Sequence, residues 1–306
     1  MSGKEKKVSP SAGPVGVIGL GNMGLAMATN LLKSGFEVSG TDLVAEFCDE
    51  LCKAGGTALA DAREVGKRCR RIILSLPSET ALAAVSADLS ASCESGTIVI
   101  ETGTLPLTAK LKARDALAGR GITLLDCTLS GTGAQAKNRD LAVYASGDTE
   151  AIEAFRPIID GFARSCFDLG EFGNGTKMKF VANLLVAIHN VSAAEAMLLG
   201  VRSGLDPATV VKVIGDGAGS SRMFQVRAPS MVDRTWDEAM ITNRVFQKDL
   251  KLIGEALLAA GCPAPLFSAT LPIYTAAVAS GHADHDTAAV YAVFERMVGI
   301  NPPEKD

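Results

Sequence analysis

The chain has 306 residues, 47 % of them hydrophobic and 21 % charged, with a formal net charge of −4. That length accommodates two domains with separate cores. No basic stripe or aromatic-interleaved patch points to nucleic acid, and no apolar run approaches membrane-spanning length, so the sequence reads as a soluble protein without a nucleic-acid or membrane partner.

Residues 1–13 begin Met1-Ser2-Gly3-Lys4-Glu5-Lys6-Lys7 with no apolar stretch behind the lysines. They read as a disordered polar arm and not as a signal peptide. Val15 to Ile18 is a short apolar strand, followed at once by Gly19-Leu20-Gly21-Asn22-Met23-Gly24. Leu25, Met27, Ala28, Leu31 and Leu32 then recur at helical spacing until Gly35, and a second strand runs to Asp42. A glycine triplet gains meaning in this strand–turn–helix–strand setting. Gly19 permits the tight turn, Gly21 lets the backbone approach a pyrophosphate, and Gly24 lets the helix pack on the strand. The helix N-terminus then directs amide donors and its dipole at the phosphates. Asp42, 18 residues beyond Gly24, is placed to accept hydrogen bonds from the adenine-ribose hydroxyls. No cation stands at 42 or 43 to hold a 2′-phosphate, so the cofactor read here is NAD. The alternative is that Asp42 caps the following helix; the two roles do not exclude each other.

Up to about residue 170 strands and helices alternate. Apolar strands are expected at 71–76, 97–101, 122–126 and 141–145, with amphipathic helices over 80–89 and 108–118 between them. The pattern predicts an α/β fold with a mostly parallel, doubly wound sheet. Strand ends fall at Leu76-Pro77, at Thr104 in Thr102-Gly103-Thr104, and at Ser130-Gly131. In such sheets ligands bind at the carboxyl edge of the strands. From Thr176 the character turns to nearly pure helix, first over 176–203, then over 206–213, 226–233, 242–260, 265–280 and 287–298. The division expected is a dinucleotide-binding Rossmann domain over 14–173 and an all-helical domain over 174–306. The 176–203 helix would span about 40 Å at roughly 1.5 Å per residue. It carries Ala, Leu and Val on several faces, which predicts a homodimer or homotetramer.

Seven cysteines (48, 52, 69, 93, 127, 166 and 262) are scattered, and no Cys-x-x-Cys occurs. They read as reduced core residues of a cytoplasmic protein. Cys48 and Cys52 share a helix face without a third ligand. His282-Ala-Asp284-His285-Asp286 is better explained as a polar loop with Asp286 capping the next helix than as a metal site, so no metal is expected.

Lys179 and Asn183 lie four apart at the start of the long helix, hence on one face. Their neighbours Phe180, Val181, Leu184 and Leu185 are apolar. Poor solvation lowers a lysine's pKa, because it penalises the charged form, and brings proton transfer near neutral pH within reach. Lysines are nevertheless most often solvated surface charges.

These segments together resemble the β-hydroxyacid dehydrogenase family, which includes 3-hydroxyisobutyrate, tartronate-semialdehyde and L-threonate dehydrogenases. The resemblance runs from about residue 15 to 298. It rests on Gly19 to Leu31, with its methionine after the second glycine, and on Asp126-Cys-Thr-Leu-Ser130-Gly131-Thr132-Gly133-Ala134. The pair Lys179 and Asn183, Phe246-Gln-Lys248-Asp249-Leu250, and Gly217 to Phe224 complete it. The last segment looks most like the L-threonate branch. Cys127-Thr128 replaces the family's usual Ala-Pro, and Thr132 replaces the second glycine of its Ser-Gly-Gly loop. Ala182 replaces an asparagine, and Gly103 replaces the serine of a common Ser-Thr.

The family implies reversible oxidation of a small 3-hydroxy acid by NAD. By resemblance Lys179 is the general acid–base and Asn183 holds it or the hydroxyl in line. Backbone N–H groups of Gly131, Thr132 and Gly133, with the Ser130 hydroxyl, meet the substrate carboxylate. Lys248 anchors substrate or closes the site over the cofactor. Gly131 and Gly133 also suit a plain turn. Arg222 and Arg227 suit an extra acidic or hydroxylated substrate group, although exposed structural arginines explain them better. Two alternatives share the scaffold: a non-catalytic dinucleotide-binding module, which lacks the lysine, and an imine reductase, which usually carries Asp or Tyr in its place.

Overall fold

A computed structural model describes residues 13–300, so the polar arm expected at 1–13 lies, but for Gly13, outside the described residues. The chain divides into two compact units, the first ending at Lys179 and the second starting at Phe180.

The first unit runs β1 (Val15–Ile18), α1 (Asn22–Lys33), β2 (Val38–Thr41), α2 (Ala45–Lys53), β3 (Thr57–Ala58), α3 (Ala62–Arg68), β4 (Arg71–Leu74), α4 (Glu79–Ser92) and β5 (Ile98–Glu101). It continues with α5 (Leu107–Ala118), β6 (Thr123–Ser130), α6 (Gly133–Lys137), β7 (Ala142–Ser146), α7 (Thr149–Phe162) and β8 (Ser165–Asp168). The strands form one sheet in the order β3-β2-β1-β4-β5-β6-β7-β8. The first six thus stand in the 3-2-1-4-5-6 order of dinucleotide-binding sheets, with the switch point between β1 and β4.

Alternate residues of each strand serve opposite faces. Val15, Val17, Ile73, Ile100 and Val143 pack with Met27 and Leu31 of α1 and Phe155, Ile159 and Phe162 of α7. Ile18, Ile72, Leu74, Val99 and Leu124 pack with Val65 of α3, Leu82 and Leu89 of α4 and Leu117 of α5. Burial on both faces is why these strands read as continuous apolar runs without alternation. The sheet is mostly parallel, as expected, with one antiparallel pair, β6–β7. Only residues 131–141 join these strands, shorter than the dozen or so that a parallel crossover needs. The short α3, α6, β3 and β8 were not foreseen, and neither was α7, a 14-residue helix with Pro157 inside it.

The long helix α8 (Asn174–Arg202) carries the division between the units. After it come α9 (Pro207–Asp216), α10 (Arg222–Asp233), α11 (Asn243–Ala259), α12 (Pro265–Ala277) and α13 (Val290–Met297), with a wide turn at Val278–His282 and a short 3-10 turn at Thr287–Ala289. The expected 265–280 helix stops at Ala277 because Ser280 and Gly281 leave helical geometry, Gly281 with φ +94°. Ala187, Ala194, Met197, Phe224, Phe246, Phe267 and Tyr274 build the core of this unit.

By length and composition α8 does pass as a membrane span, with a window of mean hydropathy 1.7, which corrects the expectation that no run approaches that length. Its buried polar groups fit a core helix better. Asn190 donates to Tyr274 Oη at 3.1 Å and to the Thr287 carbonyl at 2.9 Å.

Arg227 is not exposed, contrary to expectation: it is 1 % exposed and ion-paired with buried Asp286. Arg222 does lie at the surface. Asp286 also accepts N–H bonds from Met240 at 2.8 Å and Ala288 at 2.9 Å, the latter capping the turn at 287. Removing one partner of such a pair leaves a buried charge uncompensated. Asp286→Ala is expected to destabilise the protein by about 3–5 kcal/mol, read from urea unfolding. An unchanged unfolding midpoint would show that water replaces the carboxylate at no cost.

Candidate active site

The loops after β1 and β4 meet at the switch point. Gly19 has φ +88°, and a Cβ there would lie 2.3 Å from the Ser75 carbonyl oxygen. A Cβ on Gly24 would lie 1.8 Å from the Gly19 carbonyl oxygen, so α1 packs directly on the turn. Gly21 is different: its φ is −63°, open to any residue, and a Cβ there would meet nothing within 4 Å. Nothing within the chain calls for glycine at 21. The missing side chain leaves room beside the N-terminus of α1, which has neither a side-chain cap nor an acidic first-turn residue. That arrangement fits the pyrophosphate of a dinucleotide.

Asp42 follows β2 and is held by two backbone donors, Leu20 N–H to Oδ2 at 2.6 Å and Val44 N–H to Oδ1 at 2.9 Å. It is not the cap of α2; Val44 stands at that position. The first contact aims the carboxylate across the glycine turn, and it also uses the Leu20 N–H, so Leu20 serves the turn through its buried side chain and its bond to Asp42. Asn22 is exposed and Met23 half-buried on the first turn of α1. Leu43 is fully exposed. Leu76 is buried and Pro77 exposed after β4, and Thr104 is half-buried after β5; all stand at the carboxyl edge of the sheet.

The first turn of α8 docks on β6 and β7. Asp126 accepts the Thr176 N–H at 2.7 Å and its hydroxyl at 2.9 Å. Ser146 Oγ accepts the Gly175 N–H at 2.9 Å, and Thr128 Oγ1 donates to the Gly175 carbonyl at 2.8 Å. A Cβ on Gly175 would lie 2.4 Å from the Tyr144 carbonyl oxygen, so only glycine allows this approach. The departure at Thr128 thereby has a structural role that proline lacks. Cys127 beside it is fully buried, which pushes its thiol well above the ordinary range. Cys52 and Cys262 are exposed, contrary to the expected burial, and all seven cysteines are free.

Lys179, three residues beyond Thr176, is half-buried, and Asn183 one turn further on is buried. Asn183 Nδ2 donates to Asp249 Oδ2 at 2.9 Å. Lys248, 41 % exposed, has its Nζ 3.7 Å from Asp249 Oδ1. Asp249 therefore touches two of the expected site residues, a role the sequence reading did not assign. Its signal was present: a carboxylate at a buried position between Phe246 and Leu250.

The loop after β6 departs from expectation at one point. Thr132 caps α6 in a reciprocal box with Gln135, and its N–H donates to Gln135 Oε1 at 3.0 Å. That donor is spent, so Thr132 does not turn its N–H toward a substrate carboxylate; glycine at this position would lack the capping hydroxyl. Ser130 and Gly133 are half-buried and Gly131 exposed. Gly131 has φ +140°, which favours glycine. At the other end of the chain, His282 and His285 face each other with Nδ1 atoms 2.9 Å apart. Among the described residues no group of three side chains is placed to hold a metal.

A sheet in this order, with an open glycine at its switch point and a carboxylate after β2, defines a dinucleotide-binding scaffold. The NAD-binding domain of 6-phosphogluconate dehydrogenase matches residues 14–170, and the NAD-binding domain of NADP-dependent 3-hydroxyisobutyrate dehydrogenase matches residues 173–294. The chain is 32 % identical over 295 residues to L-threonate dehydrogenase of Cupriavidus necator, covering 95 % of this chain and 98 % of that protein. It is also 32 % identical to NAD-dependent L-serine dehydrogenase of Pseudomonas aeruginosa, covering 93 % and 99 %. A crystal structure of 3-hydroxyisobutyrate dehydrogenase from Salmonella typhimurium superposes with TM-score 0.84 at 29 % identity, covering 92 % of this chain and 99 % of that one. The chain belongs to the β-hydroxyacid dehydrogenase family and is an NAD-dependent dehydrogenase of small hydroxy acids.

Proposed function

We propose that the enzyme interconverts a small 3-hydroxy acid and its 3-oxo acid or semialdehyde, with Lys179 as general acid–base. The observation that carries this reading is the anchoring of the α8 first turn on β6 and β7 one turn before a half-buried lysine. NAD, when bound, supplies the hydride acceptor and donor. Gly21 with the N-terminus of α1 would hold its pyrophosphate, and Asp42 its adenine ribose. As a neutral amine Lys179 takes the proton of the substrate hydroxyl; as ammonium it returns one to the carbonyl oxygen. Asn183, fixed by Asp249, orients and transfers no proton. Ser130 Oγ with the N–H groups of Gly131 and Gly133 is the donor set left for a carboxylate. Lys248 is assigned to substrate or coenzyme on the Phe246–Leu250 motif.

The relatives named above act on L-threonate and L-serine, which makes these two acids the first substrates to try, with D-glycerate, 3-hydroxyisobutyrate and 3-hydroxypropionate beside them. Formation of NADH from one of them supports the reading; no turnover of any, in either direction, returns the non-catalytic module. Turnover of cyclic imines in their place would favour the imine reductase, a reading that Lys179 opposes.

Asp42 next to exposed Leu43 offers a ribose acceptor and no phosphate partner. The expected result is higher kcat/KM with NAD than with NADP, and a narrower gap in Asp42→Ala. A wild-type preference for NADP would overturn this. The cytoplasm is the compartment inferred for seven free thiols. The helical region 174–306 is assigned to substrate and oligomerisation. Val181 and Leu185, at helical spacing on α8, are 58 % and 47 % exposed. A homodimer or homotetramer would cover them, and light scattering at micromolar concentration that gives the 31.7 kDa chain mass throughout would rule it out.

A further inference from the structure

Beneath the carboxyl edge of the sheet lies a charged cluster that the reaction as written does not use. Glu101 ends β5, Asp126 is its register partner on β6, and Lys110 reaches them from α5. The side chains of all three are 0 % exposed. The ammonium of Lys110 donates to Asp126 Oδ1 at 2.8 Å and to the Gly103 carbonyl oxygen at 2.7 Å, and it is ion-paired with Glu101 Oε2 at 2.5 Å. Glu101 Oε1 in turn accepts the Gly103 N–H at 2.7 Å. Asp126 accepts both the N–H and the hydroxyl of Thr176.

Two carboxylates and one ammonium with no exposed surface are costly, and well-packed apolar residues would often be at least as stable. Stability alone is therefore a poor account of the cluster. What the network does supply is fixed geometry, since buried ion pairs and hydrogen bonds that lock one another rigidify their surroundings. One arm holds Gly103, beside Thr104. The other holds Thr176, three residues before Lys179. The second negative charge also faces the N-terminus of the longest helix, where the dipole favours it.

We propose that Glu101, Lys110 and Asp126 act as positioning residues, which fix the first turn of α8 relative to the Gly103–Thr104 loop and thereby set the place of the Lys179 amine. This rests on the role given to Lys179 above. The cluster acts through Thr176 and Gly103, and through Ser146, whose hydroxyl donates to Asp126 and accepts the Gly175 N–H. A small displacement of a reacting group lowers the rate of the chemical step far more than it weakens binding.

The test uses the full-length enzyme in three forms. Glu101→Gln with Lys110→Met removes one charge of each sign together. Thr176→Val removes one hydroxyl bond to Asp126, and Thr176→Ser keeps that bond. Each is measured for melting temperature, NADH affinity, kcat and KM on the best acid of the panel. The coenzyme-free protein is also labelled with an amine-acylating reagent across a pH series, and the Lys179 peptide is quantified by mass spectrometry. The paired variant is expected to lower kcat at least about tenfold with KM and NADH affinity within about threefold, and to shift the pH midpoint of Lys179 labelling. Thr176→Val should do the same to a smaller degree, with Thr176→Ser close to wild type. In a Lys179→Met background neither change should lower the residual rate further, as expected for residues acting as one unit.

A folded paired variant with unchanged kcat and unchanged labelling overturns the proposal. So does a loss that adds in full to that of Lys179→Met, since it marks a merely structural role. If the paired variant does not fold, the two Thr176 variants decide: equal kcat and labelling in Val and Ser overturn it. High activity of Lys179→Met by itself overturns the reading of Lys179 and the proposal with it, and that failure is distinct from a cluster that proves inert.

Discussion

Lys179→Met is expected to lower turnover by about 10²–10⁴-fold, the range for loss of a general acid–base group. Its stability should stay equal or rise slightly, because methionine retains the apolar stem at a half-buried position and removes a charge from it. NADH affinity should persist, since the glycine turn and Asp42 follow β1 and β2 and are built without α8. Asn183→Ala should show the converse balance. It orients and does not transfer, so turnover falls less. It also donates to buried Asp249, so stability falls by about 1–3 kcal/mol. Steady-state kinetics on the acid found by the panel, with melting curves of both variants, separate the two. Lys179→Met activity within a few-fold of wild type would mean that another group moves the proton.

Gly21→Ala is expected to abolish most NADH binding while leaving the fold untouched. The backbone at 21 has φ −63° and the added methyl would meet no protein atom within 4 Å, so the chain tolerates it. The space it fills is the one a pyrophosphate needs. A loss of about 10²-fold in NADH affinity corresponds to roughly 2.7 kcal/mol, the scale of one or two lost backbone–phosphate hydrogen bonds. Gly24→Ala, whose Cβ would collide with the Gly19 carbonyl, should instead lower melting temperature and binding together. The pair of variants distinguishes a glycine kept for a ligand from one kept for packing. Unchanged NADH affinity in Gly21→Ala would place the pyrophosphate elsewhere.

The sequence by itself determined the alternating α/β half, the helical half and the glycine turn with Asp42. These are local matters: strand period, helix period and turn chemistry are written in neighbouring residues. It also placed Lys179 and Asn183 on one helix face, since four residues make about one turn. Short elements such as β3, β8 and α6 escaped because two to five residues show no period. What only the tertiary structure decided depends on pairs far apart in the chain. Arg227 reads as exposed from the sequence, and only the fold sets Asp286, 59 residues away, beside it. The Thr132–Gln135 box, by contrast, is a local Thr-x-x-Gln pattern that neighbouring residues already spell out. Asp249 acquired a role from Asn183, 66 residues back. Glu101 and Lys110 stand in no motif, and Asp126 only opens one, so the sequence does not link the three. Only the parallel register of β5 and β6 and the reach of α5 bring three charges into one buried place, because burial and charge pairing are properties of the packed chain and leave no periodic trace along it.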